Sequence, residues 1–292
     1  MTVAPVNGFL GSCDFVVTIA YNGVDYEVKI NQIGVRTISI IATNGNEKDS
    51  LTLYYSITEL LMLIEGQFFD IVKANYNNTD ITESFLKREL TSYHTSNHLK
   101  GTTNILFEFE KVLNVQLILN WIDIRTKLDL IHKMALYCFS DVSIPCDIKC
   151  SFTVELFEGL AELVNMEKHI VFKKAKRGES QLVKNLITFI DNYGKEIFKE
   201  EIAIDEQLFC KILVETRNRI AHIRTKNNKQ FLEGAENLWY NSKLFLLYRV
   251  VIFELLDIQK STYEKNLVEK VSKINSLNEV KTFLGKLQNN NP

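Results

Sequence analysis

Leu208 to Lys226 reads LFCKILVETRNRIAHIRTK, and the reading of this stretch decides the fold of the second half of the chain. Apolar Leu208, Phe209, Ile212, Leu213, Ile220 and Ile223 recur at helical spacing, which predicts a helix carrying Arg217-Asn218-Arg219-Ile220-Ala221-His222 at its end. Asn218 and His222 are four apart and share a face. Arg217 lies about one turn from Ala221 and joins them by swinging its long side chain. The three groups then converge on one phosphate-sized volume.

These residue types suit phosphate chemistry. A guanidinium offers permanently charged donors that fit phosphate oxygens two at a time, and an imidazole moves a proton near neutral pH. RNA requires no metal for such a pair to act on it, because its 2′-hydroxyl is an internal nucleophile awaiting deprotonation and orientation. No cofactor is implied. The bare Arg-x4-His spacing is a weak signal, with about 0.14 chance pairs in a chain of this composition, and the adjoining Asn makes chance roughly twenty times rarer. An exposed, charged helix end is the competing account of the same residues.

Helical patterning continues on both sides of the motif. Phe152, Leu156, Phe157, Leu160, Leu163 and Val164 predict one amphipathic helix, Leu182 to Phe198 a second, and Asp205 an N-cap for the motif helix. A fourth runs from Phe231 to Leu256 over about seven turns. Four helices with short connections predict an up-and-down bundle, with a terminal helix around Leu267 to Leu287 added to it.

The RNxxxH sequence, between a hydrophobic helix ending Val214-Glu215-Thr216 and a long amphipathic helix, resembles the HEPN superfamily and most closely its Apea-like domains. The resemblance covers about Ser151 to Ile258. It implies a helical bundle, metal-independent ribonuclease activity of the kind found in bacterial antiphage and toxin systems, and a homodimer through the helical part in which two motifs face one cleft. By position it makes Arg217 and His222 the catalytic pair and Asn218 their polar companion. Glu158 resembles the acidic residue that orients the motif arginine, although an exposed helix carboxylate is the plainer account of it. RNA, tRNA among the candidates, is the implied substrate, and an antitoxin or a phage-derived trigger the implied regulatory partner. The alternative is a non-catalytic HEPN-like module for interaction or assembly, since some members only bind.

The rest of the chain has an ordinary globular composition: 292 residues, 46% hydrophobic and 24% charged. A net charge of −2 gives no global attraction to nucleic acid, so any RNA site must be a local basic patch. Arg219, Arg224 and Lys226 beside the motif supply such charge. Lys173, Lys174, Lys176 and Arg177 form a second basic run, which is also what a solvated loop looks like. Five cysteines without a CxxC pair point to reduced thiols in a cytoplasmic protein. No run of eighteen apolar residues predicts a membrane span or a membrane partner.

Pro145, after a polar turn, marks a boundary between residues 1–145 and 146–292. The first part reads as a β-rich recognition or regulatory domain. Asp14–Tyr21 and Val24–Ile30 flank Asn22-Gly23 as a hairpin, and Thr37–Ala42 with Ser50–Tyr55 form a second around Asn44-Gly45. Ser56-Ile57-Thr58-Glu59 reads as a capping box opening a helix to Val72. Asn75 to Lys100 is indistinct, Asn104–Phe109 and Val115–Ile124 are strand-like, and Leu128–Phe139 fits strand or helix. The fold class is therefore α+β, an N-terminal antiparallel β-rich domain followed by an all-α bundle. His94 with His98, and Cys138, Cys146 and Cys150 with His132, lack the spacing of common metal sites and read as a solvated loop and isolated thiols. Trp239, Tyr240 and Tyr248 at helical spacing read as core rather than base-stacking residues.

Overall fold

The computed structural model describes residues 2–6, 14–31, 37–66, 70–83, 105–140, 144–222 and 229–289. The chain is α+β, an antiparallel sheet followed by a helical region. It separates into two compact units: Met1–Thr126 with Ser140–Val142, and Lys127–Phe139 with Ser143–Pro292.

The first unit contains β1 (Thr2–Val6), β2 (Asp14–Tyr21), β3 (Val24–Asn31), β4 (Thr37–Ile41), β5 (Asp70–Tyr76) and β6 (Thr79–Asp80), in the sheet order β2-β3-β4-β1-β5-β6. β2 and β3 form the expected hairpin. Asn22 and Gly23 both adopt left-handed backbone, with φ of 50° and 78°, as a tight two-residue turn between twisted strands requires. Asn77 and Asn78 turn β5 into β6 in the same way, within the stretch that had no clear pattern. Alternation along the strands puts Ile19, Tyr26, Val28, Ile30, Ile38 and Ile40 in the core, while Val16 and Ile41 point outward and are exposed.

The second hairpin does not form. β4 pairs with β3 and β1, and Ser50–Tyr55 lies in helix α1 (Glu47–Glu65). Asn46 decides this: its Oδ1 accepts from the Asp49 N–H at 2.8 Å and starts the helix well before the supposed capping box. Ser56 instead donates its hydroxyl back to the Thr52 carbonyl at 2.8 Å. Three- and four-residue spacing buries Leu53, Ile57, Leu60, Leu61 and Ile64, which outweighs the shorter alternation of Leu51, Leu53 and Tyr55.

The strand expected over Val115–Ile124 is helix α2 (Val115–Leu128), capped where Asn114 Oδ1 accepts from the Leu117 N–H at 2.9 Å. Leu117, Ile118, Trp121, Ile124 and Leu128 form its buried stripe. Of the strand expected over Asn104–Phe109, the described part is irregular and runs into a 3-10 turn at Phe109–Lys111. α2 is bonded to α1, where Trp121 Nε1 donates to the Ser56 carbonyl at 2.7 Å and Arg125 Nη2 donates to Glu59 Oε1 at 2.9 Å.

The second unit is helical: α3 (Leu130–Phe139), α4 (Cys146–Lys168), α5 (Gln181–Phe189), α6 (Lys199–Ala221), α7 (Ala235–Leu255), α8 (Glu264–Asn275) and α9 (Asn278–Asn289). α3 decides the ambiguity of Leu128–Phe139 in favour of helix. α5 is shorter than the helix expected to Phe198, because at Ile190 it widens into a π turn ending at Gly194. A Cβ on Gly194 would lie 3.3 Å from Leu247 Cδ1 and Phe198 Cδ2, so the missing side chain lets this turn sit closely on α7. The terminal helix is two, broken at Ser276 and Leu277.

α7 is the hub of this unit. Tyr240, Leu244, Leu247, Tyr248, Val251, Ile252 and Phe253 are fully buried, with α4 packed along α7 and against α6, and α6 reaching α7 through Phe209 on Tyr240 and Glu201 on Lys243. α6 is bent at Asp205, whose backbone is extended (φ −164°, ψ 97°). The expected cap is present: Asp205 Oδ1 accepts from the Leu208 N–H at 2.8 Å and restarts the helix that carries the motif.

Candidate active site at the end of the motif helix

Phe209, Ile212, Leu213 and Thr216 bury one side of α6, and this aims Arg217 at the neighbouring helix α4. α4 meets it with Ser151 and Glu155, one turn apart. Glu155 Oε2 accepts from Arg217 Nε, Glu155 Oε1 accepts from Nη2 at 2.8 Å, and Ser151 Oγ donates to the Arg217 carbonyl at 3.3 Å. Arg217 Nη1 donates to Asn218 Oδ1 at 3.0 Å. Among the described residues three of the five guanidinium N–H groups are therefore used, which leaves two for a ligand.

The paired carboxylate raises the Arg217 pKa above its ordinary value, chiefly by hydrogen bonding; the charges of Glu155 and Glu158 add, and burial opposes. The arginine stays a cation under all working conditions. Its side chain is 23% exposed against 42% for Glu155, so the pair lies at the surface of the bundle.

The direct partner expected at Glu158 is Glu155. Glu158 is exposed, three residues further along α4, and acts on Arg217 only through its charge. The sequence signal for Glu155 was its place in a polar stripe, Ser151-Glu155-Glu158-Glu162, beside the apolar face of Val154, Phe157, Leu160 and Ala161; only the crossing of α4 and α6 selects which member meets the arginine.

Asn218 has its carbonyl oxygen committed to Arg217, which turns the two Nδ2 hydrogens to other acceptors. His222 ends α6 as its C-cap, exposed, with its backbone N–H donating to the Asn218 carbonyl at 3.1 Å. At 100° per residue from Arg217, Asn218 lies at about 100° around the helix, His222 at about 140° and Arg219 at about 200°. The floor of the site is thus Asn218 and His222, with the Arg217–Glu155 pair on one side.

A returning strap forms the other side. Lys229 Nζ lies 2.7 Å from Glu215 Oε1, the Arg219 guanidinium carbon sits 4.2 Å from the Phe231 ring centroid, and the Leu232 N–H donates to Thr216 Oγ1 at 2.9 Å. The Thr216 hydroxyl in turn donates to the Ile212 carbonyl at 2.8 Å. Phe231 and Thr216 carried no signal as site residues in the sequence, because their role depends on the chain folding back.

Residues 152–262 match the model of the Apea-like HEPN family. The chain carries an Apea-like HEPN domain. The matched span holds Glu155, Arg217, Asn218, His222, Arg219 and Phe231, and leaves the sheet unit, α8 and α9 outside it. No curated protein and no solved structure matches the chain. HEPN domains are often ribonucleases and commonly bind RNA and dimerise, so the coarse reading is a nuclease-type or related module.

The remaining candidates divide clearly around the HEPN domain. Lys173, Lys174, Lys176 and Arg177 are exposed on an ordered turn between α4 and α5, where Glu179 Oε2 accepts from the Lys176 N–H at 3.0 Å. α4 runs about 20 Å beyond Glu155 before that turn begins, and among the described residues none of these four side chains is bonded to Arg217, Asn218 or His222. Arg224, Lys226, His94 and His98 lie outside the described residues. Tyr240 and Tyr248 are fully buried, with Tyr240 donating to Glu201 at 2.7 Å and Tyr248 bonded to His132 Nδ1 at 2.9 Å, so both belong to the core. Cys138 and Cys150 are buried thiols, and burial pushes Cys138 up to about 11. Among the described residues no group of three or more His, Cys, Asp or Glu is arranged to hold a metal, and no helix is long and apolar enough to cross a membrane.

Proposed function

We propose that the HEPN domain is a metal-independent endoribonuclease of a bacterial defence or toxin system, acting in the cytoplasm under a recognition or regulatory domain spanning residues 1–145. One observation carries the reading: Arg217 is held by Glu155 and Asn218 with two donors unspent among the described residues, five residues along the helix from an exposed His222. His222 takes the proton of the 2′-hydroxyl or delivers one to the 5′-leaving oxygen. Arg217 stabilises the charge that develops on the phosphorane, and the Asn218 Nδ2 donors hold a phosphate oxygen. The phosphorus–5′-oxygen bond breaks as the 2′-oxygen bond forms, leaving a 2′,3′-cyclic phosphate and a 5′-hydroxyl. A single motif supplies one imidazole, so two chains facing one cleft provide both proton transfers.

The rival reading is a non-catalytic assembly module, and the carboxylates of Glu155 and Glu158 favour it by offsetting the positive charge of Arg217 where RNA would bind. Purified protein incubated with total RNA and tRNA in EDTA, beside His222→Ala and Arg217→Ala, tests both. Cleavage that survives chelation, leaves cyclic phosphate and is lost in the two variants is the outcome for an enzyme. Silence from wild type and variants alike, together with retained function of His222→Ala in cells, is the outcome for a module.

A further inference from the structure

We infer that Arg219 and Phe231 form a platform for an unpaired nucleobase next to the scissile phosphate, which makes the substrate single-stranded or looped RNA rather than duplex. This rests on the ribonuclease reading for its phosphate, but the platform has its own geometry. The guanidinium carbon sits 4.2 Å from the ring centroid, and both side chains are half-buried, anchored yet not sealed into the core.

Its position relative to the chemistry is set by the helix. Arg219 is three residues before His222, about 4.5 Å of rise and about 60° of rotation away, comparable with the reach of one nucleotide. The ring is held from behind: the next residue, Leu232, is buried, its N–H bonded to Thr216 and its carbonyl accepting from Asn237 Nδ2 at 3.0 Å. Two residues before the ring, Lys229 Nζ pairs with Glu215 Oε1 of the motif helix at 2.7 Å. The stack is therefore in place before any ligand arrives.

The chemistry of such a pair selects its ligand. A flat guanidinium over an aromatic ring presents π surface that any base can stack on, with in-plane N–H groups left for phosphate oxygens. Attack by a 2′-hydroxyl in line with the 5′-leaving oxygen requires the nucleotide to leave helical stacking, and unpaired bases splayed onto aromatic or arginine planes are the usual way proteins hold RNA in that state. Arg219 so engaged acts as a stacking and charge-bearing residue at once.

The test uses full-length His222→Ala protein, which separates binding from cleavage, with a short single-stranded RNA containing 2-aminopurine and a hairpin duplex of the same composition. The single strand is expected to bind more tightly than the duplex and to show quenched 2-aminopurine fluorescence. Arg219→Lys, which keeps charge but loses the plane, and Phe231→Leu, which keeps apolar volume but loses the ring, should each weaken binding about tenfold and relieve the quench; Phe231→Trp should preserve both. Equal affinity for strand and duplex, or unchanged quench in Arg219→Lys, overturns the platform. Because Arg219 is half-exposed, Arg219→Lys still decides between these outcomes if Phe231→Leu does not fold. Quenching alongside a wild-type protein that cleaves nothing supports the platform while sinking the ribonuclease reading, so the two fail separately.

Discussion

Arg217 and Glu155 meet side-on, two guanidinium nitrogens on two carboxylate oxygens, across the contact between α6 and α4. This aligns the guanidinium before substrate binds. Glu155→Ala should leave the charge of Arg217 but free its orientation, lowering kcat/KM for RNA about 100-fold. Arg217→Ala should cost about 1000-fold. Glu155→Gln, which keeps one acceptor, should fall between Glu155→Ala and wild type. Steady-state cleavage of a fluorescent RNA in EDTA reads all three; a Glu155→Ala enzyme as fast as wild type would show that the pair is only structural.

Asn218 separates two roles within one side chain. Asn218→Asp retains an oxygen for Arg217 Nη1 but replaces both Nδ2 donors with an acceptor that repels phosphate. It should therefore be at least as impaired as Asn218→Ala, roughly 100-fold in kcat/KM. If Asn218→Asp cleaves normally, Asn218 serves Arg217 alone.

Glu201 and Lys243 form a fully buried ion pair between the first turn of α6 and the middle of α7, with the Tyr240 hydroxyl also donating to Glu201 Oε1 at 2.7 Å. Burial outweighs the partner's charge and lowers the Lys243 pKa. Removing one partner strands the other charge, so Glu201→Leu or Lys243→Met should each destabilise by about 3–5 kcal/mol, while the double substitution should recover most of that loss. Urea denaturation of the four proteins gives the cycle, and additive losses would contradict it.

Thr216 ties the strap to the motif helix. Thr216→Val leaves the buried Leu232 N–H without its acceptor and should cost about 1–3 kcal/mol, whereas Thr216→Ser keeps the hydroxyl and should cost far less. Denaturant midpoints at constant m distinguish the two.

Lys270 on α8 gives stability a pH dependence of definite sign. Burial, with the Arg249 and Lys273 charges adding and Glu269 opposing, lowers its pKa from 10.5 to about 8. The folded protein then releases this proton before the unfolded chain does, so the cost of the buried charge is fully present below pH 8 and fades as pH rises toward the unfolded value. Relative to Lys270→Met, the wild type should gain stability between pH 8 and 10, seen as a converging pair of melting temperatures. A constant gap between the two would show that Lys270 titrates normally.

The helical half was legible because its signals are local. The periodicity of Leu208 to Ile220, the Asp205 cap and the RNxxxH spacing act within a few turns of one helix, and the Asn22-Gly23 turn needs only its own two residues. The β-rich half was less legible because alternation over five or six residues is shared by strands and by helices with two apolar sides. In Ser50–Tyr55 the Asn46 cap and the burial of Leu53, Ile57 and Leu60 under the sheet decided for helix, and in Val115–Ile124 the bonds of Trp121 and Arg125 to α1 did so.

For the proposed site, the sequence by itself determined the candidate residue types and their order on the helix: Arg217, Asn218 and His222 within two turns. Tertiary structure alone decided what surrounds them. Glu155 rather than Glu158 holds the arginine because the angle at which α4 crosses α6 brings one of two neighbouring carboxylates within reach. Phe231 stands beside Arg219 because the chain folds back after the motif, and the turn bearing the basic run at Lys173 starts only at the far end of α4, about 20 Å of helix beyond Glu155. Contacts between residues sixty positions apart leave no local pattern, since each side chain taken alone is an ordinary surface residue.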